Sequence, residues 1–428
     1  MKKSILVFSY YSNMPGACQA EWIDDRIQAF IRRGYSITIV SASCCIQHQD
    51  MQITHVRIPA LSPHAAAYEY DESKRRTLAT KKGITFRYLQ CMSMLDRFLG
   101  KIHLQSGEGR WSWFISSLWI SIFKIRVKEF DFIYTSGGPA GAHLTGIVLS
   151  KLFRKKLLCE FQDPLSGSDI GRNKLSKFGL AFFEKIIISN ADFTIYCTKN
   201  AMVDAKTRYP SIADRISFVY PGSIAVELYL QHASIHKSEK VHHEKINITY
   251  LGSLYLTRNL DAMMEAFHEL ALGGTPVTNI EVNIYGNMNA DIRERILNFK
   301  YPGIFIIHGL ISREEAMQRA LMADVLLLVQ NIDDRSINTI PFKTYDYLHT
   351  GKRILALTYR NDEIDNMMTT HGHWVCQADN IKGIKDILVQ MKAKLADTAH
   401  PVVISKYTPD YAVNSMLALL GDQVKNPG

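Results

Sequence analysis

The sequence predicts an α/β protein with two domains, each built around a parallel β-sheet. The chain has 428 residues, which is long for one domain and sufficient for two substantial cores. Its 47% hydrophobic and 21% charged residues are typical of a globular protein rather than a disordered or fibrous one. In both halves, continuous apolar runs that suit buried parallel strands alternate with helical patterns.

The chain opens with a βα unit. An apolar run over residues 4–10 is followed by a helical pattern over residues 21–33 and a second apolar run over residues 36–41. Backbone amides of the loop 13–16, including that of Gly16, are candidates for binding a phosphate, and a plain βα turn explains the same residues equally well. No GxGxxG motif follows the first strand, which argues against a dinucleotide oxidoreductase.

A glycine-rich turn follows the predicted strand 131–136, in the stretch GGPAGAHLTG. Gly138 would allow a ligand to approach the backbone closely, although tight helix–strand packing would also require glycine there. His143 lies in the first turn of the helix that follows. It is a second candidate for this site, with a satisfied structural histidine as the alternative.

The strongest candidate acid of the N-terminal half is Asp163. It comes directly after the predicted strand 156–161 and is followed by a proline. An acid at this position extends from the carboxyl edge of a parallel sheet, where the ligand sites of α/β proteins form. The alternative is that Asp163 only caps its loop.

Residues 111–127, with the sequence WSWFISSLWISIFKIRV, carry an apolar stripe at helical spacing. The stripe consists of Trp111, Phe114, Ile115, Leu118, Ile122 and Ile125. Such a stripe usually packs into the core. Three tryptophans, with Lys124 and Arg126 at one end, also suit a helix that lies in the surface of a membrane. Both interpretations remain open at the level of the sequence.

A polar, charged segment without apolar periodicity, residues 232–245, indicates the domain boundary. We therefore predict an N-terminal domain over residues 1–231 and a C-terminal domain over residues 246–404. Residues 405–428 contain a terminal helix.

The C-terminal half begins with an apolar run over residues 247–251. Gly252 and Ser253 follow as a tight turn that offers backbone amides, and Arg258 precedes the next helix, where it could bind a phosphate with two hydrogen bonds. Further strands and helices alternate from there to the terminal helix.

The stretch IPFKTYDYL, residues 340–348, follows the predicted buried strand 323–329 and predicts a short helix. Lys343 and Asp346 are three residues apart and therefore lie on one face of that helix. Beyond the carboxyl end of a parallel strand, the ammonium group could bind phosphates and the carboxylate could bind ribose hydroxyls. The alternative is a solvated ion pair on a surface helix.

Composition excludes several classes of protein. The formal charge of +9 includes Lys/Arg clusters at residues 74–76, 81–82 and 154–156, but no zinc-finger or RNA-binding signature accompanies them, so nucleic acid is not the expected partner. The seven cysteines are scattered without a CxxC pair, which indicates reduced thiols and no metal site. The first apolar run is too short for a signal peptide and no run would span a bilayer, so a cytoplasmic protein is predicted.

In their order along the chain, these motifs resemble the retaining nucleotide-sugar glycosyltransferases of family four, which have the GT-B fold. The stretch SGGPAGAHLTG followed by EFQDP is similar to the SGPP-x-x-x-HLIG and RDPW motifs of one subgroup. ITYLGSLYLTRN is similar to the phosphate-binding turn of the second domain. HGLISREEAMQRALMADVLLL and IPFKTYDYLHTGKRILAL are similar to the most distinctive block of the family.

The resemblance implies two Rossmann-like domains that face a central cleft, with the donor on the C-terminal domain and the acceptor mostly on the N-terminal one. The C-terminal helix, residues 405–428, would pack back on the N-terminal domain. The donor would be a UDP- or GDP-type sugar, and neither a cofactor nor a metal ion is expected. The acceptor would be a glycan or lipid-linked oligosaccharide, which implies contact with the cytoplasmic face of the inner membrane.

The resemblance implies roles only for the residues that match the motifs of the family. Arg258 and Lys343 match the cations on the donor diphosphate, beside Gly252 and Ser253, and Asp346 matches the acid that binds the ribose. Asp163 and His143 match the acceptor-side acid and histidine, next to Gly16 and Gly138. The four residues expected to act in catalysis are Asp163, His143, Arg258 and Lys343.

Two departures from the family pattern affect these expectations. Asn338 stands where a glutamate often contacts the donor sugar, and Asp333 or Asp334 could substitute for it. Gln162 and Leu165 replace the arginine and tryptophan around the acceptor-side acid. A nucleotide-sugar 2-epimerase of the same fold and a non-catalytic protein that binds sugar nucleotides or glycans therefore remain alternatives to the transferase.

Overall fold

The computed structural model describes residues 3–14, 18–61, 91, 94–95, 98, 107–167, 173–224, 245–395 and 406–421. The chain divides into two compact units. The first comprises Met1–Pro221 and Pro409–Gly428, and the second comprises Gly222–Thr408. This division falls earlier than the predicted linker 232–245, most of which lies outside the described residues.

The first unit is built on a seven-stranded parallel sheet with the order β3-β2-β1-β4-β5-β6-β7. Its strands are β1 (Ser4–Phe8), β2 (Ser36–Ala42), β3 (Ile53–Ile58), β4 (Phe132–Ser136), β5 (Lys156–Phe161), β6 (Phe193–Tyr196) and β7 (Ile216–Phe218). Both faces of the sheet are covered, because the side chains of each strand alternate between two separate cores. This explains why the strands appear in the sequence as continuous apolar runs.

The described helices of the first unit lie on the two faces of this sheet. They are α1 (Cys18–Arg32), α2 (Trp113–Lys124), α3 (Gly141–Phe153), α4 (Lys174–Asn190) and α5 (Lys199–Arg208). Helices α2, α3 and α4 contribute to the core that contains Leu6 and Phe8, whereas α1 contributes to the core that contains Ile5 and Val7. The helix predicted over residues 21–33 therefore exists, and it begins three residues earlier.

The second unit is built on a six-stranded parallel sheet with the order β10-β9-β8-β11-β12-β13. Its strands are β8 (Ile246–Leu251), β9 (Ile280–Tyr285), β10 (Phe305–Gly309), β11 (Val325–Val329), β12 (Arg353–Thr358) and β13 (Trp374–Gln377). Its described helices are α6 (Asp261–Leu272), α7 (Ala290–Leu297), α8 (Arg313–Met322), α9 (Lys343–Leu348), α10 (Asp362–Thr370) and α11 (Ile381–Leu395). The predicted fold class, two α/β domains with parallel sheets, is confirmed.

The last helix, α12 (Pro409–Leu419), belongs to the first unit. Its Ala412, Val413 and Met416 are buried in the same core as Ile23 and Ile27 of α1. At the surface, the carboxylate of Asp410 pairs with the guanidinium groups of two arginines at the end of α1, Arg32 (2.6 Å) and Arg33. The chain thus returns to its N-terminal unit after completing the second one.

Helix α2 differs from the sequence-based prediction in which side chains it buries. The predicted apolar stripe included Ile115, which is exposed, whereas Ser116, Ser117 and Ser121 are buried. These small residues allow α2 to lie close to α3, where the hydroxyl groups of Ser117 and Thr145 form a hydrogen bond of 2.8 Å. Close helix packing, rather than hydrophobicity, therefore decides the orientation of α2.

Candidate functional site

Three glycines hold the carboxyl edge of the second sheet together. Gly252, Gly286 and Gly309 follow or end β8, β9 and β10 and have φ angles of 125°, 140° and 85°, which favour glycine. The amide of Gly252 donates to the carbonyl of Tyr285 (2.8 Å), and the amide of Gly286 donates to the carbonyl of Gly309 (2.7 Å). A side chain on Gly286 would overlap the backbone of Gly252. The predicted tight turn at Gly252 is thus one part of a closely packed edge.

Lys343, the first residue of α9, lies against this edge. Its Nζ donates a hydrogen bond of 2.7 Å to the carbonyl of Leu251 and lies 3.9 Å from the ring centroid of Tyr250. A Cβ atom on Gly252 would come within 2.9 Å of the same Nζ, so glycine at that position leaves room for the ammonium group. The residue as a whole is half-buried, but protein surrounds its charged end.

Arg258 lies close enough to Lys343 for the two charges to interact. Burial holds the pKa of Lys343 well below its ordinary value, and the charge of Arg258 lowers it further. The guanidinium of Arg258 lies 5.2 Å from the ring centroid of Tyr255, and its buried Nε has no hydrogen-bond partner. The structure therefore brings together the two cations that were predicted to bind the donor diphosphate.

Neither cation has an acidic partner among the described residues, because no salt bridge there includes Arg258 or Lys343. The hydroxyl of Tyr250 donates to the carbonyl of Ser253 at 2.9 Å, which fixes the ring beneath Lys343. Two neighbouring cations without a counter-charge repel each other, and a bound anion would relieve that repulsion. The arrangement is suited to binding a phosphate or diphosphate.

Asp346, predicted to bind ribose hydroxyls, is buried and already has two partners in this unit. Its carboxylate accepts a hydrogen bond from the hydroxyl of Ser223 and forms an ion pair of 3.2 Å with Arg313. The guanidinium of Arg313 also lies 5.6 Å from the ring centroid of Phe342. The remaining acceptor sites of the carboxylate are the ones that a ribose could use, so its assigned role stays a prediction.

The acids considered as substitutes for the missing glutamate lie in the loop after β11. Asp333 pairs with Arg335 (Nε–Oδ1 2.8 Å) and accepts a hydrogen bond from Thr257, next to Arg258. Hydrogen bonds from Arg335 lower the pKa of Asp333 to about 2. Asp333 is thus tied to the loop that carries Arg258, whereas Asn338 is half-buried two residues after the short 3-10 turn Asp334–Ser336.

Two of the candidate residues of the first unit, Gly138 and Asp163, line a cavity of about 210 Å³ at the carboxyl ends of β4 and β5. Its lining includes Gly138, Gln162, Asp163 and Leu165. Asp163 is exposed to the water in this cavity, but the nearby cavity walls reduce the solvation of its carboxyl group and so raise its pKa. Gly16 lies outside the described residues.

His143 is buried behind the cavity, against the ring of Phe161 (centroids 5.0 Å apart). Its Nδ1 lies 2.7 Å from the hydroxyl of Thr135. Burial lowers the pKa of His143 to about 4, although a backbone group of Gly137 and the charge of Glu160 oppose that effect. The imidazole is therefore neutral at neutral pH, and its catalytic role stays a prediction.

Several residues of these sites were not singled out from the sequence. They are Tyr250 and Thr257 near the two cations, Arg313 and Ser223 on Asp346, and Arg110, which lines the cavity of the first unit and donates to the hydroxyl of Tyr11. Each is separated in sequence from the residues that it contacts. The only local signal was the pattern SREE, which marks the start of α8 but not the direction of Arg313.

No protein-family model and no curated protein sequence matches the chain. Solved structures do. The sucrose-phosphate synthase of Thermosynechococcus elongatus has a TM-score of 0.61 and 10% identity, with 98% of this chain and 95% of that chain covered. Anabaena HepE in complex with UDP and glucose has a TM-score of 0.58 and 11% identity, with 98% and 96% covered.

A structure of a putative UDP-N-acetylglucosamine 2-epimerase from Listeria monocytogenes is also similar, with a TM-score of 0.52, 12% identity and 98% and 96% of the two chains covered. Among the described residues, no helix is long and apolar enough to cross a membrane, and no group of three or more His, Cys, Asp or Glu side chains could hold a metal ion. The two parallel α/β domains and these similar structures together identify the fold as GT-B with Rossmann-like domains.

Proposed function

We propose that this protein transfers a sugar from a nucleoside diphosphate sugar to a hydroxyl group of an acceptor. The observation that carries the proposal is the pair of cations Arg258 and Lys343 at the carboxyl edge of the second sheet, without an acidic partner among the described residues. A leaving nucleoside diphosphate gains negative charge as the glycosidic bond breaks. Two fixed cations stabilise that charge without a metal ion.

The donor that we favour is a UDP- or GDP-type sugar. Anabaena HepE, which has the same fold, was solved with UDP and glucose, and this supports a nucleotide-sugar donor here. Asp346 would bind the ribose through acceptor sites not used by Ser223 and Arg313. Asn338, with Asp333 nearby, would position the sugar.

We further propose that the reaction retains the configuration of the anomeric carbon. Among the described residues near the two cations, the carboxylate of Asp333 is already bound by Thr257 and Arg335, so departure and attack on the same face are favoured, with an oxygen of the β-phosphate helping to deprotonate the acceptor. Asp163 and His143 would act on the acceptor side. Trapping of a covalent glycosyl-enzyme would contradict this mechanism.

The acceptor in this proposal is a glycan or a lipid-linked oligosaccharide at the cytoplasmic face of the inner membrane, so the protein would be cytoplasmic and peripheral to that membrane. Turnover of a panel of UDP- and GDP-sugars tests the proposal. The Lys343→Ala variant should lower kcat/KM about 100-fold or more, because it removes a cation that acts on the leaving group. The matched control is Lys382→Ala, an exposed lysine on α11 of the same unit.

A 2-epimerase is the second candidate, favoured by the similar structure from Listeria monocytogenes. Incubation with UDP-N-acetylglucosamine and no acceptor, followed by NMR of the sugar, separates the two activities. Inversion at C2 would replace the transferase proposal. A protein whose melting temperature rises with UDP but which converts no donor would be the non-catalytic alternative.

A further inference from the structure

Three neighbouring helices of the first unit expose large apolar side chains on their outer surface. On α2, Ile115, Trp119 and Phe123 are spaced four residues apart and therefore lie on one face. The side chains of Trp119 and Phe123 are each 66% exposed, and their ring centroids lie 4.6 Å apart. A single exposed apolar residue would need no explanation, but a contiguous exposed patch of large apolar side chains usually marks an interaction site.

The exposed surface continues on α3, which packs against α2, and on α4, which packs against α3. Leu152 on α3 and Leu175, Phe178 and Phe182 on α4 are exposed, and Phe178 reaches 70%. The rings of Phe178 and Phe182 stack with their centroids 6.4 Å apart. We call the residues Ile115, Trp119, Phe123, Leu152, Leu175, Phe178 and Phe182 the outer apolar face.

The core does not require this arrangement. Helix α2 buries Trp113 together with Ser116, Ser117 and Ser121, but it exposes Trp119 and Phe123, which an amphipathic helix of a globular protein would usually bury. The small serines allow α2 and α3 to approach closely, as the hydrogen bond between Ser117 and Thr145 shows. Trp119 and Phe123 therefore lie on the side of α2 that faces away from the core, whereas Trp113 lies in it.

Charge on these helices has one sign. Together α2, α3 and α4 contain five lysines (124, 151, 174, 177 and 185) and one acidic residue, Glu184. Glu184 is fully buried and paired with Arg208 at 3.0 Å. No carboxylate is therefore exposed on the three helices, so the helices themselves would not repel a partner of negative charge.

A groove of about 480 Å³ continues the surface at the end of α2. Phe123 and Phe153 supply part of its apolar lining, and Lys124, Arg126 and Lys128 supply its positive charge. One carboxylate, that of Glu129, also lines the groove and pairs with Arg126 at 3.3 Å, so the cations remain in excess. Apolar walls next to cations suit a molecule with a hydrocarbon part and an anionic head.

We propose that the outer apolar face docks on a lipid bilayer that contains anionic headgroups. The aromatic and aliphatic side chains would enter the boundary between headgroups and acyl chains, and the lysines would lie among the phosphates. A second copy of this chain fits less well, because a two-fold interface would place the lysines of one copy against those of the other. The proposal concerns a surface outside both candidate sites and holds whether or not the protein transfers sugar.

Sedimentation of the full chain with vesicles tests this inference. We expect binding to vesicles of equal parts phosphatidylglycerol and phosphatidylcholine, weaker binding at higher salt, and little binding to phosphatidylcholine alone. The triple variant Trp119→Ser, Phe123→Ser, Phe178→Ser should lower the vesicle partition coefficient at least about tenfold, because it removes the apolar area that would be buried. The double variant Lys151→Glu, Lys174→Glu should lower it by about tenfold.

Matched controls come from the second unit. Leu272→Ser with Leu297→Ser, and Lys300→Glu with Lys382→Glu, change side chains that are equally exposed and should leave vesicle binding unchanged. Equal loss in the controls, or no binding of the unchanged protein, would overturn the proposal. A dimer in light scattering that the serine variant abolishes would also overturn it. So would a lower melting temperature of the serine variant together with a lack of vesicle binding, because this result would mean that the chain itself covers the face. Transfer to a water-soluble acceptor should be unaffected by any of these variants.

Discussion

Both units place charged groups near the carboxyl edge of a parallel sheet, but only the first unit supplies a counter-charge for them. In the first unit, the guanidinium of Arg26 and the carboxylate of Glu160 are fully buried and pair at 2.9 Å. In the second unit, Lys343 and Arg258 lie close together without an acidic partner among the described residues. The first arrangement is complete without a ligand, whereas the second gains stability from an anion.

The completeness of the first arrangement is visible in its hydrogen bonds. Arg26 also donates to the carbonyl of Pro221 (2.6 Å), and Glu160 accepts from the hydroxyl groups of Tyr134 and Ser136. Burial alone would raise the pKa of Glu160, but the charge of Arg26 and these hydrogen bonds hold it below its ordinary value. Such a network is a structural element, and a buried charge is a sign of ligand binding only when its partners are missing.

The largest expected effect comes from breaking the paired arrangement. Glu160→Gln leaves the charge of Arg26 buried without a counter-charge and should cost about 3–5 kcal/mol of the free energy of unfolding. Urea denaturation followed by circular dichroism measures it. The double variant Arg26→Met, Glu160→Leu removes both charges and should recover most of the loss. A single variant as stable as the unchanged protein would contradict the distinction between the two units.

The second prediction concerns the glycine edge that positions Lys343. Gly286→Ala should lower the free energy of unfolding by about 1–3 kcal/mol, because the new methyl group overlaps the backbone of Gly252 and φ is 140°. Its control is Gly274→Ala, which has a positive φ of 78° but open space around it, so only the backbone strain remains. Thermal unfolding compares the two. A smaller loss for Gly286→Ala than for Gly274→Ala would disprove the close packing.

The third prediction sharpens the description of Lys343 as a cation without a partner. Because its folded pKa lies below the unfolded value of about 10.4, the unfolded chain binds more protons between these two values, and stability contributed through this group rises with pH there. Lys343→Met should reduce that rise without destabilising the protein at neutral pH. It should also abolish the increase in melting temperature caused by UDP.

Binding of UDP should in turn raise the pKa of Lys343, because the diphosphate stabilises the ammonium group. Calorimetry over a series of pH values, in buffers of different ionisation enthalpy, should then detect proton uptake in the range between the free and the bound pKa, and the Lys343→Met variant should lose it. Binding with the same proton exchange in both proteins would show that Lys343 does not contact the anion.

The smallest expected effect is that of Asp333→Asn. The carboxylate of Asp333 lies near the two cations but already has a partner, Arg335. With a folded pKa of about 2, Asp333 contributes stability above its unfolded pKa of about 3.9, and this contribution is lost as the pH falls towards 2. Because the pair with Arg335 is partly exposed to solvent, we expect a loss of about 1 kcal/mol or less at neutral pH. Urea unfolding at pH 7 and pH 3 should show a smaller difference between the two proteins at the lower pH.

The sequence by itself determined the two parallel α/β domains, because only strands buried on both faces have continuous apolar runs such as residues 325–329. It also placed Asp163 directly after a strand, and Arg258 and Lys343 in connections that follow strands, since the carboxyl edge of a parallel sheet is fixed by the order of strands and helices. The sequence did not show which groups each of these residues contacts.

Only the tertiary structure decided which groups meet. The ammonium of Lys343 contacts the carbonyl of Leu251, which is 92 positions away, and Arg26 meets Glu160 across 134 positions. Local spacing carries no information on such contacts, because they depend on how helices and strands pack. The same reason explains α2, whose Ser117 contacts Thr145 of α3 while Trp119 and Phe123 face outward. Hydrophobicity predicted that α2 is a helix, and the fit between two helix surfaces decided which side is buried.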